Sequence, residues 1–293
     1  MKKFCFFPIF FLYLFPLGAQ PIDITVGGGI DNFAVDTKAL DLSYNLKSEE
    51  FAFHPFWYAR VNGEFGKDFL FDVKYQQDPL WQSSFTGSFG VAYGVVNAGL
   101  GMQLGMHDYA SDDFSFSKTH LWDAGLLGYF KLQLPGYFFI GTDFVADFWG
   151  EMSEEGRSSR PFWSVYIGCW LPHIHLTLSY FQKEYLETKA DDLRVRAASK
   201  EIRGDIEIFS KSSPFRISFA GAWLTKTISF TEAAAATQEQ TADYLYAEFG
   251  FSIALGRYAR WFIKGGIPLE VFNPKPQKFV ANTGMVFTAF GNK

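Results

Sequence analysis

The chain has 293 residues and a formal net charge of −5, with 48% hydrophobic and 19% aromatic residues, 35 of them Phe. That length suits one large domain or two small ones. The acidic balance argues against nucleic acid as a partner, and the excess of Phe, Tyr and Trp favours strands and membrane interfaces.

Residues 1–20 stand apart from the rest. Lys2 and Lys3 give a positive start, Phe4 to Leu17 is apolar, and Gly18-Ala19-Gln20 places small residues near a cleavage point. This is the pattern of a secretory signal peptide cut after Ala19 or Gln20. Its apolar run falls short of the roughly 18 residues of a spanning helix. Removing it takes away Lys2 and Lys3 and no acid, which leaves 24 basic against 31 acidic residues, a balance of −7. Cys169 is then the one cysteine left, so no internal disulfide is expected.

Beyond residue 20, charged or polar residues interrupt every apolar stretch within a few positions. This argues against membrane-spanning helices but not against a barrel, whose strands alternate lipid-facing and lumen-facing residues. Alternation is the dominant signal. From Leu121 to Leu134, one face carries Trp122, Ala124, Leu126, Gly128, Phe130, Leu132 and Leu134 and the other Asp123, Tyr129, Lys131 and Gln133. In Tyr244–Leu255, Leu245, Phe249, Phe251 and Ile253 oppose Tyr246, Glu248 and Ser252. In Arg260–Val271, Trp261, Ile263 and Ile267 oppose Arg260 and Lys264.

Taken in chain order, 14 such segments are predicted: 22–34, 56–65, 69–77, 85–93, 95–106, 120–134, 137–149, 162–171, 174–186, 193–210, 215–230, 243–256, 260–272 and 278–290. Each meets the roughly 9–11 residues a tilted strand needs to cross a bilayer. Segments 193–210 and 215–230 overrun that length and are expected to extend beyond the membrane. The connections alternate long and short. Long ones lie near 35–55, 78–84, 107–119, 150–161, 187–192, 231–242 and 273–277; tight ones include Gly66-Lys67-Asp68, Gly94, Pro135-Gly136 and Pro172-His173. Outer-membrane barrels sort their loops in this way, with short periplasmic turns and long extracellular loops.

The fold class is therefore all-β: a single closed antiparallel transmembrane barrel of about fourteen strands, 12–16 being possible, over residues 21–293. A soluble sandwich would turn the same apolar face inward. The loop sorting, the aromatic residues Trp57, Tyr58, Trp149, Trp163, Tyr258 and Trp261 near strand ends, and the charge on the opposite face favour the membrane.

The signal peptide, the alternation, the loop sorting and an aromatic-rich final strand from Phe279 to Phe290 resemble those of Gram-negative and spirochaetal outer-membrane β-barrel proteins. The resemblance implies residence in the bacterial outer membrane, contact with its lipid, and handling by the barrel-assembly machinery through the last strand. In that class the strand usually ends on an aromatic; here Gly291-Asn292-Lys293 follows Phe290. The strand number is similar to that of the long-chain fatty-acid transporter family, but the first strand starts almost at the cleavage site, without that family's N-terminal plug segment.

With the apolar face towards lipid, the lumen receives Arg194, Arg196, Arg203, Arg216, Lys226, Arg260 and Lys264. Its acids are Asp205, Glu207, Glu248 and Glu270, with Asp123, Asp143 and Asp147 in the middle strands. Such charges either filter solutes through a transverse field or simply pair across neighbouring strands. Thr86, Ser88, Gly90, Ala92, Gly99 and Gly101 make one wall of small side chains. The loop 35–55, with Phe51, Phe53, His54 and Pro55, is a candidate constriction.

No cofactor, metal or enzyme site is expected. His173 and His175 lack a third ligand nearby, and Gly27-Gly28-Gly29 is not followed by the Lys-Ser/Thr of a phosphate loop. Asp112-Asp113 near His107 or His120 is the single candidate for a catalytic rim. Three functions fit: a porin-like channel for passive transport of small solutes, a closed barrel whose loops bind partner molecules, or a transporter of hydrophobic, fatty-acid-like substrates. Oligomeric state stays open.

Overall fold

The computed structural model describes residues 21–31, 54–65, 68–77, 83–109, 119–134, 136–150, 152–153, 156–159, 161–189, 194–210, 213–231, 237–269 and 279–289. Among them every regular element is a strand. They are β1 (Ile22–Asp31), β2 (His54–Phe65), β3 (Phe69–Gln77), β4 (Ser83–Tyr93), β5 (Val96–Tyr109), β6 (Thr119–Gln133), β7 (Phe138–Gly150), β8 (Met152–Ser153), β9 (Gly156–Ser159) and β10 (Phe162–Trp170). After them come β11 (Ile174–Lys189), β12 (Arg194–Phe209), β13 (Phe215–Thr231), β14 (Gln238–Ala254), β15 (Ala259–Pro268) and β16 (Val280–Ala289).

All 16 belong to one sheet. β8 and β9 form a small hairpin; the remaining 14 pair with their sequence neighbours and close when β1 joins β16, Ile22 facing Ala289 and Asp31 facing Val280. Closure leaves no free edge among the described strands, so the backbone N–H and C=O groups at membrane depth can pair within the wall. Around the β8–β9 hairpin the seam is shared: β11 pairs with β10 over Trp170–Phe162 and with β9 over Ser159–Gly156. Pro161 separates those two partners, as a residue without an N–H must interrupt a ladder, while its carbonyl still accepts from Glu184 N at 2.9 Å.

The short turns lie at the end where Ile22 and Ala289 meet, as the loop sorting predicts. Gly94 turns β4 into β5 with φ of +58°, an angle that a residue with a Cβ rarely adopts. At the opposite end several strands run further than predicted: β5 reaches Tyr109, β11 reaches Lys189, and β14 begins at Gln238. His54 and Pro55 are the first residues of β2, paired with Asp31 and Ile30, and do not belong to the preceding loop. Phe51 and Phe53 lie outside the described residues.

The apolar face looks outward. Phe89, Leu100, Leu126, Ile140, Ile167, Leu178, Ile202, Phe219, Phe249 and Ile263 are all exposed large hydrophobic residues spread around the wall. In a water-soluble protein such a surface would be a large unpaid-for apolar patch; in a bilayer it is the lipid contact. Trp57, Trp122, Trp163 and Trp223 stand in the outward rows towards the long-loop end. Two of their indole N–H groups donate to polar partners, Trp57 to Gln77 at 2.7 Å and Trp223 to Asp243 at 3.3 Å, as interfacial Trp does. Tyr58 departs from the expected aromatic belt: it turns inward, where its hydroxyl accepts from Asn282 Nδ2 at 3.3 Å.

On β11–β14 the upper limit of the apolar band can be placed within one row. Tyr180, Ile202, Trp223 and Leu245 are register neighbours. The next outward row is Gln182, Lys200, Thr225 and Asp243. Above it the outward face turns polar: Thr227 and Thr241 face outward and share a 3.1 Å hydrogen bond, while Ile228 and Ala242, with Lys226 beside them, are buried inside. This is the pattern of a sheet in water, so these strands leave the membrane and continue as a raised wall.

Candidate functional site

The inward rows carry the polar chemistry. In β12–β15 these rows hold Arg203, Asp205 and Glu207; Arg216 and Lys226; Glu248 and Ser252; and Arg260 and Lys264. Arg203 is the hub. Its Nε donates to Asp205 at 2.9 Å, and its two terminal nitrogens donate to Glu248 at 2.8 and 2.6 Å. Glu201 stands 3.7 Å away. Arg203 is thus held by three carboxylates, and a planar guanidinium offers the five N–H groups this needs. Higher up, Lys226 is fully buried, with Tyr244 and Tyr246 nearly so.

The opposite wall has its own pair. Arg60 of β2 grips Asp72 of β3 with Nε at 2.8 Å and Nη2 at 2.5 Å. Lys74 lies 6.0 Å from the Tyr58 ring centre. Asp143 of β7 accepts from the Ser164 hydroxyl at 3.3 Å, and Asp123 is buried. The small residues of β4 and β5 do not simply leave empty space. The Tyr129 ring of β6 lies over Gly99 and Gly90, so close that a Cβ at Gly99 would sit 2.4 Å from it. Tyr58 covers Gly27 in the same manner.

A cavity of about 370 Å³ opens at the short-turn end of the lumen, within the size range of ligand sites. Arg216, Arg260, Lys264, His175, Glu207 and Ser252 line it, among others. Arg216 lies against the Phe209 ring at 5.3 Å and pairs with Glu207 at 3.3 Å. Arg260 donates to the Ser252 hydroxyl at 3.3 Å.

Of the residues expected in the lumen, Arg203, Arg216, Lys226, Arg260, Lys264, Asp123, Asp143 and Glu248 stand on inward rows. Arg196 does not: it shares the outward parity of Ile202, on the raised wall above the membrane, and pairs with Glu184 at 2.7 Å. A strand that outruns the bilayer has polar groups on its outer face, and parity alone cannot reveal where the bilayer ends. The backbones of Arg194 and Asp147 pair with Thr231 and Gly125, and their side chains lie outside the described residues. So do Asp112, Asp113 and the side chains of His107 and His120. Arg60, Asp72 and Lys74 are further inward charges; the alternation of segments 56–65 and 69–77 already carried that signal.

The closed wall and the outward apolar band define the class: a transmembrane β-barrel of the bacterial outer-membrane type. The chain is similar in fold to an outer membrane channel from Pseudomonas putida F1, with a TM-score of 0.51 over 92% of this chain and 96% of that one, at 9% identity. Weaker likenesses are to a bacterial polysaccharide outer membrane secretin (TM-score 0.42, 7% identity, 92% and 98% covered). Another is to a loop-deleted OmpT, an outer membrane protein of Vibrio cholerae (0.40, 7% identity, 93% and 100%). At these identities the likeness is one of fold. No family model matches the chain, and no curated protein matches it in sequence.

Proposed function

We propose that the protein is an outer-membrane channel through which small solutes pass passively along a polar, charged lumen. One observation carries this reading: charged and hydroxyl side chains occupy the inward rows on both sides of the barrel, from Arg60 and Asp72 across to Arg203, Arg216 and Lys264. A barrel built only as a membrane anchor has no need of so many ions inside, and a dry interior would penalise them. Residues 1–20 act as the export signal in this reading, the lipid and the assembly machinery are its other partners, and no chemistry is performed on the solute. Planar-bilayer reconstitution of the refolded chain tests it. Discrete conductance steps are expected; a folded barrel that inserts and conducts nothing overturns it.

A second reading, a barrel that binds partner molecules at the surface, is favoured by the raised wall of β11–β14, whose outer face carries Thr225, Thr227, Asp243 and Arg196. Replacing those residues would abolish partner binding in that case and leave conductance unchanged.

A further inference from the structure

We infer that the cavity at the short-turn end is an oxyanion-binding station, which takes a solute bearing a phosphate or carboxylate group. This rests on the channel reading above and goes beyond it, because it assigns a binding step and a ligand chemistry to one place in the lumen.

The argument starts from charge and its compensation. Three cationic side chains, Arg216, Arg260 and Lys264, line the cavity with two carboxylates, Asp205 and Glu207. Asp205 is engaged by Arg203 at 2.9 Å, and Glu207 by Arg216 at 3.3 Å. Among the described residues, neither Arg260 nor Lys264 has a carboxylate within ion-pair distance. Arg260 is anchored by neutral acceptors instead, the Ser252 hydroxyl at 3.3 Å and the Pro214 carbonyl at 3.5 Å, both reached by Nη1. That fixes the guanidinium while leaving Nε and Nη2 to another acceptor.

The register explains how these groups share a cavity. Arg216, Ser252 and Phe262 are direct neighbours across β13, β14 and β15. Arg260 and Lys264 flank Phe262 at two residues either way along β15, and so point to the same side. Lys264 faces Gly250, and a Cβ there would lie 2.2 Å from the Ser218 hydroxyl and 3.0 Å from Lys264 Cγ. Gly250 therefore keeps open the space between the hydroxyl and the ammonium stem. Hydroxyl donors Thr177, Ser218 and Ser252 complete a lining of donors around a net positive charge. The forked Arg and the mobile Lys suit a tetrahedral phosphate or a planar carboxylate. Phe262, on the same inward row as Arg260 and Lys264, gives an apolar margin that fits an organic body better than a bare halide.

The test uses the refolded barrel in a planar bilayer carrying chloride current. Inorganic phosphate and, separately, succinate are titrated from each side. Saturable block is expected, at lower concentration from the short-turn side, and the ratio of the two block constants tells phosphate from carboxylate preference. The double variant Arg260→Gln, Lys264→Gln should weaken block by about tenfold or more, since two charge-assisted contacts are lost. Phe89→Leu, on the outward, lipid-facing row of β4, should leave it unchanged. Conducting channels that neither anion blocks, or a double variant that is blocked as well as the parent, overturn the proposal while leaving the channel reading intact. If the barrel conducts nothing, titration calorimetry with phosphate and succinate on the detergent-refolded protein still decides: binding lost in the double variant supports the station, and no binding overturns it. Heat-modifiable migration on unboiled gels verifies that each variant is folded.

Discussion

Arg203 of β12 meets Glu248 of β14 by reaching over β13, the strand between them. Its terminal nitrogens lie 2.8 and 2.6 Å from the two carboxylate oxygens. The register places Ala222 opposite Arg203 and Ala220 opposite Glu248, so only small side chains stand beneath the bridge. A long cation, two small residues and a distant acid thus form one unit across three strands.

Removing the cation from that unit is expected to be costly. Arg203→Gln leaves Glu201, Asp205 and Glu248 facing each other, with Arg203 and Glu248 only 19% and 16% exposed. A loss of about 3 kcal/mol is expected, the low end for breaking a buried pair. Ala222→Leu should cause part of the same loss by blocking the reach. Urea unfolding of the barrel in lipid vesicles measures both, and the double variant should lose little more than Arg203→Gln alone.

The solvent-exposed pair Arg60–Asp72, on the lumen side of β2 and β3, is a different case. Its side chains are 47% and 36% exposed, and exposed ion pairs contribute about 0–1 kcal/mol. Asp72→Asn should therefore leave the unfolding midpoint almost unchanged while releasing a cation into the lumen. A shift of reversal potential towards anion selectivity is the expected reading in a salt gradient.

The boundary above Trp223 predicts a sharp dependence on depth. Phe219 lies at the middle of the outward band on β13, and Thr225 lies one outward position above Trp223. Phe219→Arg should cost about 2–4 kcal/mol and Thr225→Arg at most about 1 kcal/mol, as lipid-facing cations do at the midplane and near the interface. Equal costs at the two positions would mean that the band has been misplaced.

Glycines should tolerate alanine or not according to what the added Cβ would meet. A Cβ at Gly29 of β1 would fall 1.9 Å from the Ala281 carbonyl oxygen of β16, and backbone cannot step aside as a side chain can. Gly29→Ala is expected to destabilise the barrel by about 1–3 kcal/mol or to prevent closure. At Gly204 and Gly221 nothing lies within 4 Å of the added atom. Alanine there should be neutral or stabilising by about 0.4–1 kcal/mol. The fraction of fast-migrating folded species on unboiled gels separates the three variants.

The strands were legible because alternation is a local property: each peptide unit turns its side chain to the opposite face, so Phe130 and Lys131 announce their two sides without knowledge of any partner. The predicted segments 69–77 and 174–186 correspond to β3 and β11 for this reason. The sequence also announced that Arg203, Arg216, Arg260 and Lys264 share a face within their own strands. Three things depended on the closed wall. Arg196 has the right composition for a lumen and the wrong position, because only the row from Tyr180 to Leu245 marks where lipid ends. The Arg203 bridge requires knowing that Ala220 and Ala222 lie between it and Glu248. The cavity at the short-turn end gathers side chains from β11 to β15, whose vertical offsets are set by cross-strand register. Periodicity is written into neighbouring residues; register comes from hydrogen bonds between segments that are distant in sequence, and only the folded barrel decides it.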